Sequence, residues 1–266
     1  MHSNSIIGAA EGNHNAFFSR FGRSPAGELI TRAGVTAYSS GIDYPIFNGA
    51  MADDVSVPDH AIRETVSWFR NRRLPFLWWV MPSQRGGGLV PRLEAAGLHK
   101  SSEPPSMVLP LDRLEAPAPP ADELRVERVG NERGLEVFAS TLNSGDFEAP
   151  DRIAASLPRL LRPEPGDSRL ALFLGYVRDE PVATSLRFLA NGVVGIYGIA
   201  TVPKARRRGI GAAMTYAALI DGRKAADASF AVLSATRLGR PVYQRLGFVE
   251  CGKFEVYTPA PGEADW

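Results

Sequence analysis

Through the second half of the chain, apolar and polar positions recur with periods that name the elements one by one. Leu, Val, Phe and Leu return at helical spacing over residues 131–142, and residues 153–161 form a second predicted helix. Residues 169–178 read as a strand, with Asp179-Glu-Pro as its turn. Residues 182–189 are the next strand, with Ala190-Asn-Gly as its turn, and residues 193–202 are a third. The period then lengthens to that of a helix over residues 209–225, through Ile210, Met214, Ala217 and Leu219. A short apolar strand comes next at residues 230–233, then a helix over 241–246 that Gly247 closes, then one last strand over 248–257.

The first half is less regular. Residues 61–70 and 89–96 carry helical spacing, the second helix closed by Gly97, and Phe76-Leu-Trp-Trp-Val is a strand. Two segments share one order of strand, Gly-containing turn, helix and Gly-apolar close: residues 79–98 and residues 232–248. That order has the form of an internal repeat. Between the halves lies Leu114-Glu-Ala-Pro-Ala-Pro-Pro-Ala-Asp-Glu123, whose prolines remove amide donors and hold the chain extended. The expected division is therefore an N-terminal domain over 1–113, a linker over 114–123 and a C-terminal domain over 124–266.

Composition narrows the chemistry. The 266 residues are 44% hydrophobic and 22% charged, the balance of a soluble globular protein. A net charge of +1 gives no global field to attract nucleic acid or an anionic membrane, so neither is an expected partner. Cys251 is the one cysteine, which excludes an internal disulfide framework and points to a reducing, cytoplasmic setting. No signal peptide and no apolar run of membrane-spanning length is read. His2, His14, His60 and His99 are scattered, so no metal site is expected. Nothing in the sequence fixes an oligomeric state.

The candidate site is Arg206-Arg-Arg-Gly-Ile-Gly211, between the third C-terminal strand and the long helix. The glycines leave backbone amides uncovered, and the helix start adds unpaired N–H groups and partial positive charge. Three arginines add bidentate phosphate donors, and the whole suits a pyrophosphate. There is no Gly-Lys-Ser/Thr after the loop, so this is not a nucleotide P-loop, and the glycine spacing is not that of a dinucleotide fold.

These residues resemble the Gcn5-related N-acetyltransferase (GNAT) superfamily. Its pyrophosphate loop, Gln/Arg-x-x-Gly-x-Gly/Ala, is matched by Arg206-Arg-Arg-Gly-Ile-Gly211, after a strand exit resembling Thr201-Val-Pro-Lys-Ala. Its second signature, Tyr-x-x-Leu-Gly-Phe, is matched within Gly239-Arg-Pro-Val-Tyr-Gln-Arg-Leu-Gly-Phe248. The likeness covers residues 124–257, and Trp78-Trp-Val-Met-Pro-Ser with Leu93-Glu-Ala-Ala-Gly-Leu98 resembles the leading half of tandem members. The resemblance implies an α/β (α+β) fold with a mixed central β-sheet flanked by helices, in two tandem GNAT-like domains. The N-terminal one would be a degenerate copy that does not bind coenzyme A.

It also implies an N-acetyltransferase that uses acetyl-CoA on a small-molecule amine, by direct transfer in a ternary complex. Backbone groups of Ile199, Ala200 and Thr201 would pair with the pantetheine arm, and Arg206, Arg207, Arg208, Gly209, Ile210, Gly211 and Ala212 would hold the pyrophosphate. Thr236 would lie near the thioester, and Tyr243 would protonate the departing thiolate. An amine of pKa ~10 is only about 0.1% neutral near pH 7, so a base or relay is needed. Residues 193–202 hold no carboxylate; Tyr197 would relay a proton through water, while Asp146 and Glu148 read either as acids on a loop over the acceptor cleft or, the preferred reading, as acids on an ordinary solvated loop. Another acyl group, a hydroxyl acceptor, and a silent coenzyme A or metabolite-binding module are the competing readings.

Overall fold

The structure is a computed structural model and describes residues 3–164 and 166–259. The first half runs α1 (Ser3–Ser19), β1 (Glu28–Arg32), β2 (Val35–Ser39), β3 (Asn48–Ala52), α2 (Asp59–Arg72), β4 (Leu77–Val80), α3 (Leu89–Ala95), β5 (Leu98–Ser102) and β6 (Pro105–Pro110). The second runs β7 (Arg125–Arg128), α4 (Glu132–Leu142), α5 (Asp151–Ala154), α6 (Leu157–Leu161), β8 (Leu170–Val177), β9 (Glu180–Ala190) and β10 (Val193–Thr201). It ends with α7 (Ile210–Ala225), β11 (Phe230–Ser234), α8 (Arg240–Arg245), β12 (Val249–Lys253) and β13 (Glu255–Pro259). Both sheets are mixed and flanked by helices, the expected fold class.

The strands form one sheet in the order β1-β2-β3-β4-β13-β5 and another in the order β12-β6-β11-β10-β9-β8-β7. In each, one place is taken by a strand from the other half of the sequence. β13 lies antiparallel between β4 and β5, and β6 lies between β11 and β12. The chain accordingly divides into one unit of Met1–Ser106 with Gly252–Trp266 and another of Met107–Cys251. This differs from a division at 114–123. The physical reason is that residues 248–257 are not one strand: the backbone breaks at Phe254, whose N–H is held by the Pro104 carbonyl at 3.0 Å. The predicted helix over 153–161 is likewise two short helices, α5 and α6.

In the Met107–Cys251 unit, β8, β9 and β10 form an antiparallel meander. Its hairpin corners are Arg178 with Asp179 and Asn191 with Gly192, all at positive φ, the backbone that matches strand twist in a two-residue turn. Asn131 caps α4 by accepting the Gly134 N–H at 2.8 Å. The long helix α7 covers the sheet through Ile210, Met214, Ala218 and Leu219, which pack with Val194 and Ile196 of β10 and with Met107 and Leu109 of β6. A buried ion pair anchors it. Arg187 of β9, 1% exposed, donates to Asp221 at 2.7 Å and to the carbonyls of Ser168 and Arg169.

The other unit has its own core around Trp78, Phe69, Phe76 and Leu93, with Tyr257 of β13 among them. On α1, His14 is enclosed by the rings of Phe18, Trp79 and Phe254 at 4.5, 4.6 and 4.5 Å, and neither of its nitrogens has a hydrogen-bond partner. Desolvation lowers its pKa from 6.5 to about 3, against a small opposing contact with Asn15. The folded state thus holds His14 neutral where the unfolded chain takes up a proton. Its contribution is complete above pH 6.5 and is lost as the pH falls toward 3. The loss is about 1.4 kcal/mol per pH unit. Chemical denaturation of His14→Phe against the wild type should show the stability gap between them shift by about 2 kcal/mol between pH 7 and pH 5, in favour of the variant at the lower pH. A gap independent of pH would contradict this.

Candidate active site

The site begins with an interruption in β10. Its parallel ladder with β11 covers only residues 193–195 against 230–232. On its other side β10 stays with β9 as far as Thr201, but the register slips between Tyr197 and Ala200. Gly198, at φ +54, makes this bulge possible, and Thr184 Oγ1 donates to its carbonyl at 2.8 Å. Past Gly195, therefore, β10 has one strand neighbour and β11 has turned away. Ile199, Ala200 and Thr201 lie on this unaccompanied stretch.

The chain then makes a single 3-10 turn at Pro203–Ala205 and enters α7. Arg207 and Gly209 both have positive φ, +62 and +82, and Gly209 is the N-cap. The helix ladder opens with the Ala213 N–H donating to the Gly209 carbonyl at 3.2 Å. The amides of residues 207–212 find no protein acceptor among the described residues. They form a run of donors at the positive end of a 16-residue helix. A Cβ built on Gly211 would meet only Thr201 Oγ1, at 3.8 Å, so the space over this turn is open. The donor set fits a pyrophosphate.

The three arginines do not act as one clamp. Arg206 donates to the Thr201 carbonyl at 3.0 Å and to the Gly145 carbonyl at 3.1 Å. Arg208 pairs with Asp122 of the Pro/Ala-rich segment, and its carbonyl accepts the Ala121 N–H at 3.0 Å. That segment is irregular, as its composition predicts, yet it rests on the loop: a Cβ on Gly209 would meet Pro120 Cα at 3.3 Å. Arg207 alone has a guanidinium without a protein partner among the described residues.

Tyr243, on α8 and 8% exposed, lies against Gly239 and edge-on to Phe248 at 6.0 Å. Desolvation, and then the charge of Asp146, pushes its hydroxyl well above the usual phenol range. Burial does the same to the partly exposed Tyr197, so both phenols stay protonated near neutrality. Thr236 is exposed, and its hydroxyl accepts the Gly239 N–H at 3.1 Å while its carbonyl accepts the Arg240 N–H. The structure therefore gives Thr236 the work of shaping the entry to α8.

The sequence did not announce the turn after α4. Residues Asn143–Phe147 form a π-helical turn. A Cβ on Gly145 would press on Ala200 Cβ at 3.0 Å and on the Thr201 backbone at 3.2 Å, so this turn sits directly on the end of β10. Asn143 clamps it by accepting the Ala149 N–H at 3.0 Å and donating to the Ala149 carbonyl at 3.2 Å. Asp146 is thereby held beside the site. Desolvation raises its carboxyl above the ordinary range, against the pull of Arg206. Glu148, at φ +46, ends the turn, and both it and Asp146 are exposed. The strand glycine at 198 and the Asn143-Ser-Gly-Asp string were the available signals for the bulge and for this turn.

A parallel pair that parts beside a phosphate-ready helix start, with a buried phenol next to it, is an arrangement suited to an extended ligand that ends in a pyrophosphate. Comparison with known proteins agrees. Residues 160–257 match the family described as Acetyltransferase (GNAT) domain. A GCN5-related N-acetyltransferase from Kribbella flavida superposes with a TM-score of 0.72 at 20% identity, over 96% of both chains. A tandem GNAT protein from the clavulanic acid biosynthesis pathway does so with a TM-score of 0.58 at 14% identity, over 97% of this chain and 95% of that one. A GCN5-related N-acetyltransferase from Sphaerobacter thermophilus gives 0.58 at 14% identity, over 88% and 76%. No match is found among curated proteins. The family model thus matches residues 160–257, and nearly the whole chain shares the tandem GNAT fold. No helix of the described residues is long and apolar enough to cross a membrane, and they hold no cluster of metal-ligating side chains.

The loop geometry yields a paired test. Gly209→Ala forces a side chain into a left-handed conformation next to Pro120 and should cost about 1–2 kcal/mol. Gly211→Ala meets open space and should change stability by less than about 0.5 kcal/mol. Denaturant titration of both variants checks the contrast, and equal losses would refute this assignment of the two glycines.

Proposed function

We propose that the protein is an acetyl-CoA-dependent N-acetyltransferase acting on the amine of a small molecule, by direct transfer within a ternary complex. The observation that carries this reading is the parting of β10 from β11 beside the unpaired amides of residues 207–212. An extended arm bearing amides would take the place that β11 vacates, pairing with the backbone at Ile199, Ala200 and Thr201, and its pyrophosphate would meet the loop amides and Arg207. Bound there, acetyl-CoA supplies an activated acyl carbonyl and a thiol leaving group. Tyr243, kept protonated by its surroundings, donates the proton that the thiolate needs. Arg206 and Arg208 hold the loop in shape through Thr201, Gly145 and Asp122.

Acetyl-CoA at 100 times its Kd should stabilise the native state by about 2.7 kcal/mol. For a chain of this size the rise in Tm is about 5–10 °C. Gly211→Leu should fold normally and lose that shift, because its side chain fills the open space over the loop. Tyr243→Phe should keep the shift and lower kcat for coenzyme A release by about 100-fold. Release with primary amines is the result that supports amine acetylation. Release only with alcohols, or only from another acyl-CoA, would redirect the substrate assignment. No thermal shift with any acyl-CoA would defeat the reading.

A further inference from the structure

We propose that Asp146, presented by the π-helical turn after α4, is the general base that takes the proton from the attacking amine. The inference rests on the acyl-transfer function proposed for this site and names the group that function still lacks. Acids on the strands and helices that line the slot are removed by position or by pairing, and Glu148, which follows the same turn, is separated from Asp146 by the test below. There is no Asp or Glu between Val193 and Ile220, nor between Phe230 and Phe248. Those stretches include β10, the phosphate loop, most of α7, β11 and α8, so none of them offers a base. The nearby acids in other elements are already paired: Asp122 with Arg208, Glu180 with Lys204, and Asp221 with Arg187.

Asp146, by contrast, is held in place at the site, because three independent contacts fix the turn that carries it. Gly145 is pressed against Ala200 and Thr201, Arg206 reaches both the Gly145 and Thr201 carbonyls, and Asn143 closes the turn on Ala149. Ala200 and Thr201 lie where the thioester arm would run, so Asp146 is held over the end of the unaccompanied stretch of β10. A π-helical turn gives up helix stability to aim one residue, and such turns recur at functional sites. The charged and titratable groups acting on Asp146 or feeling its charge are Arg206, from beyond β10, and Tyr243, on α8. Asp146 is exposed, which leaves it open to an incoming amine, and desolvation raises its carboxyl above the ordinary range against the pull of Arg206.

Protons and electrons balance through the step. A substrate ammonium releases one proton to solvent and becomes the neutral amine. Its lone pair forms the C–N bond at the thioester carbonyl, and the nitrogen's next proton passes to the Asp146 carboxylate. The C–S bond breaks with its electron pair on sulfur, which takes the Tyr243 proton. Solvent takes the proton from Asp146 and returns one to the Tyr243 phenolate. Amide, thiol and one solvent proton result, and both side chains return to their starting states.

The test uses the full chain, acetyl-CoA, and primary amines graded in basicity, with coenzyme A release as the readout. Asp146→Asn should lower kcat/KM by about 100-fold or more at neutral pH. It should leave the acetyl-CoA thermal shift intact. The rise of rate with the neutral fraction of the amine should be the same in both proteins, but the limb that belongs to the carboxyl should be missing from Asp146→Asn, so the deficit should be smallest at acid pH and grow as the carboxyl ionises. Asp146→Glu should recover part of the rate, and Glu148→Gln on the same turn should match the wild type. An Asp146→Asn rate within a few-fold of wild type, or a deficit that does not fall toward acid pH, would overturn the role of Asp146 while leaving acyl transfer in place. Wild-type protein that binds acetyl-CoA yet releases no coenzyme A with any acceptor would remove both readings together.

Discussion

Everything in the site depends on β10 keeping one neighbour and giving up the other. Backbone N–H and C=O groups inside a protein need partners, and a strand that loses its neighbour halfway leaves a row of them to be satisfied. β9 holds one edge of β10 to Thr201 and the bulge at Gly198 turns the strand, while β11 leaves after Gly195. The resulting slot is shaped for a chain with amide groups of its own. Its far end opens on the amides of residues 207–212, so in the proposed function the strand edge and the helix start would present successive donors to one extended ligand. The buried Arg187–Asp221 pair and the apolar face of α7 hold that helix start in place against the sheet.

The exchange of last strands gives the sheets a dependence that no short segment reveals. The sheet that carries the site includes β6, from before the Pro/Ala-rich segment, and its Met107, Leu109 and Leu111 belong to the core under α7. The other sheet includes β13, from the end of the described chain, and Tyr257 belongs to its core. A cut in the sequence at 114–123 would therefore leave each half without a strand that its own core uses. The Pro/Ala-rich segment is itself more than a spacer, because Asp122 and Ala121 fasten the loop at Arg208.

Much of this was legible because local signals and fold agree in the second half. The meander β8-β9-β10, the helix α7 and the turn chemistry of Asn191-Gly192 are all written in period and glycine placement. What escaped is long-range. Residues 248–257 alternate like one strand, and only pairing with β4 and β5 shows that the chain changes sheet at Phe254. Helix α1 escaped because Ser3–Ser19 holds two glycines and three asparagines, poor helix formers that tertiary contacts override. The arginine triplet read as three phosphate donors because sequence shows charge but not counter-charge; Asp122, Gly145 and Thr201 appear only in space.

Counter-charge also decides the first half, where a loop of the right shape lacks the right chemistry. After β4, a 3-10 turn at Pro82–Gln84 leads to Gly86 and Gly88 at φ +75 and +83, close to the +62 and +82 of Arg207 and Gly209. The backbone turn is thus repeated almost unchanged, and what differs is everything that would hold a phosphate. The helix after it is only 7 residues long. Val90 and Pro91 stand where Gly211 and Ala212 stand in the other loop, so one position gains bulk and the other loses its N–H. Arg85 is engaged by Glu103 at 2.8 Å, and a carboxylate, Glu11, already accepts the Ser83 N–H at 2.7 Å. A fixed internal anion at this turn opposes a mobile one by like-charge repulsion, whatever the backbone's shape. Backbone conformation alone does not make a pyrophosphate site; it also takes free amides, open space and an unneutralised charge, and of the two turns the one before α7 has all three.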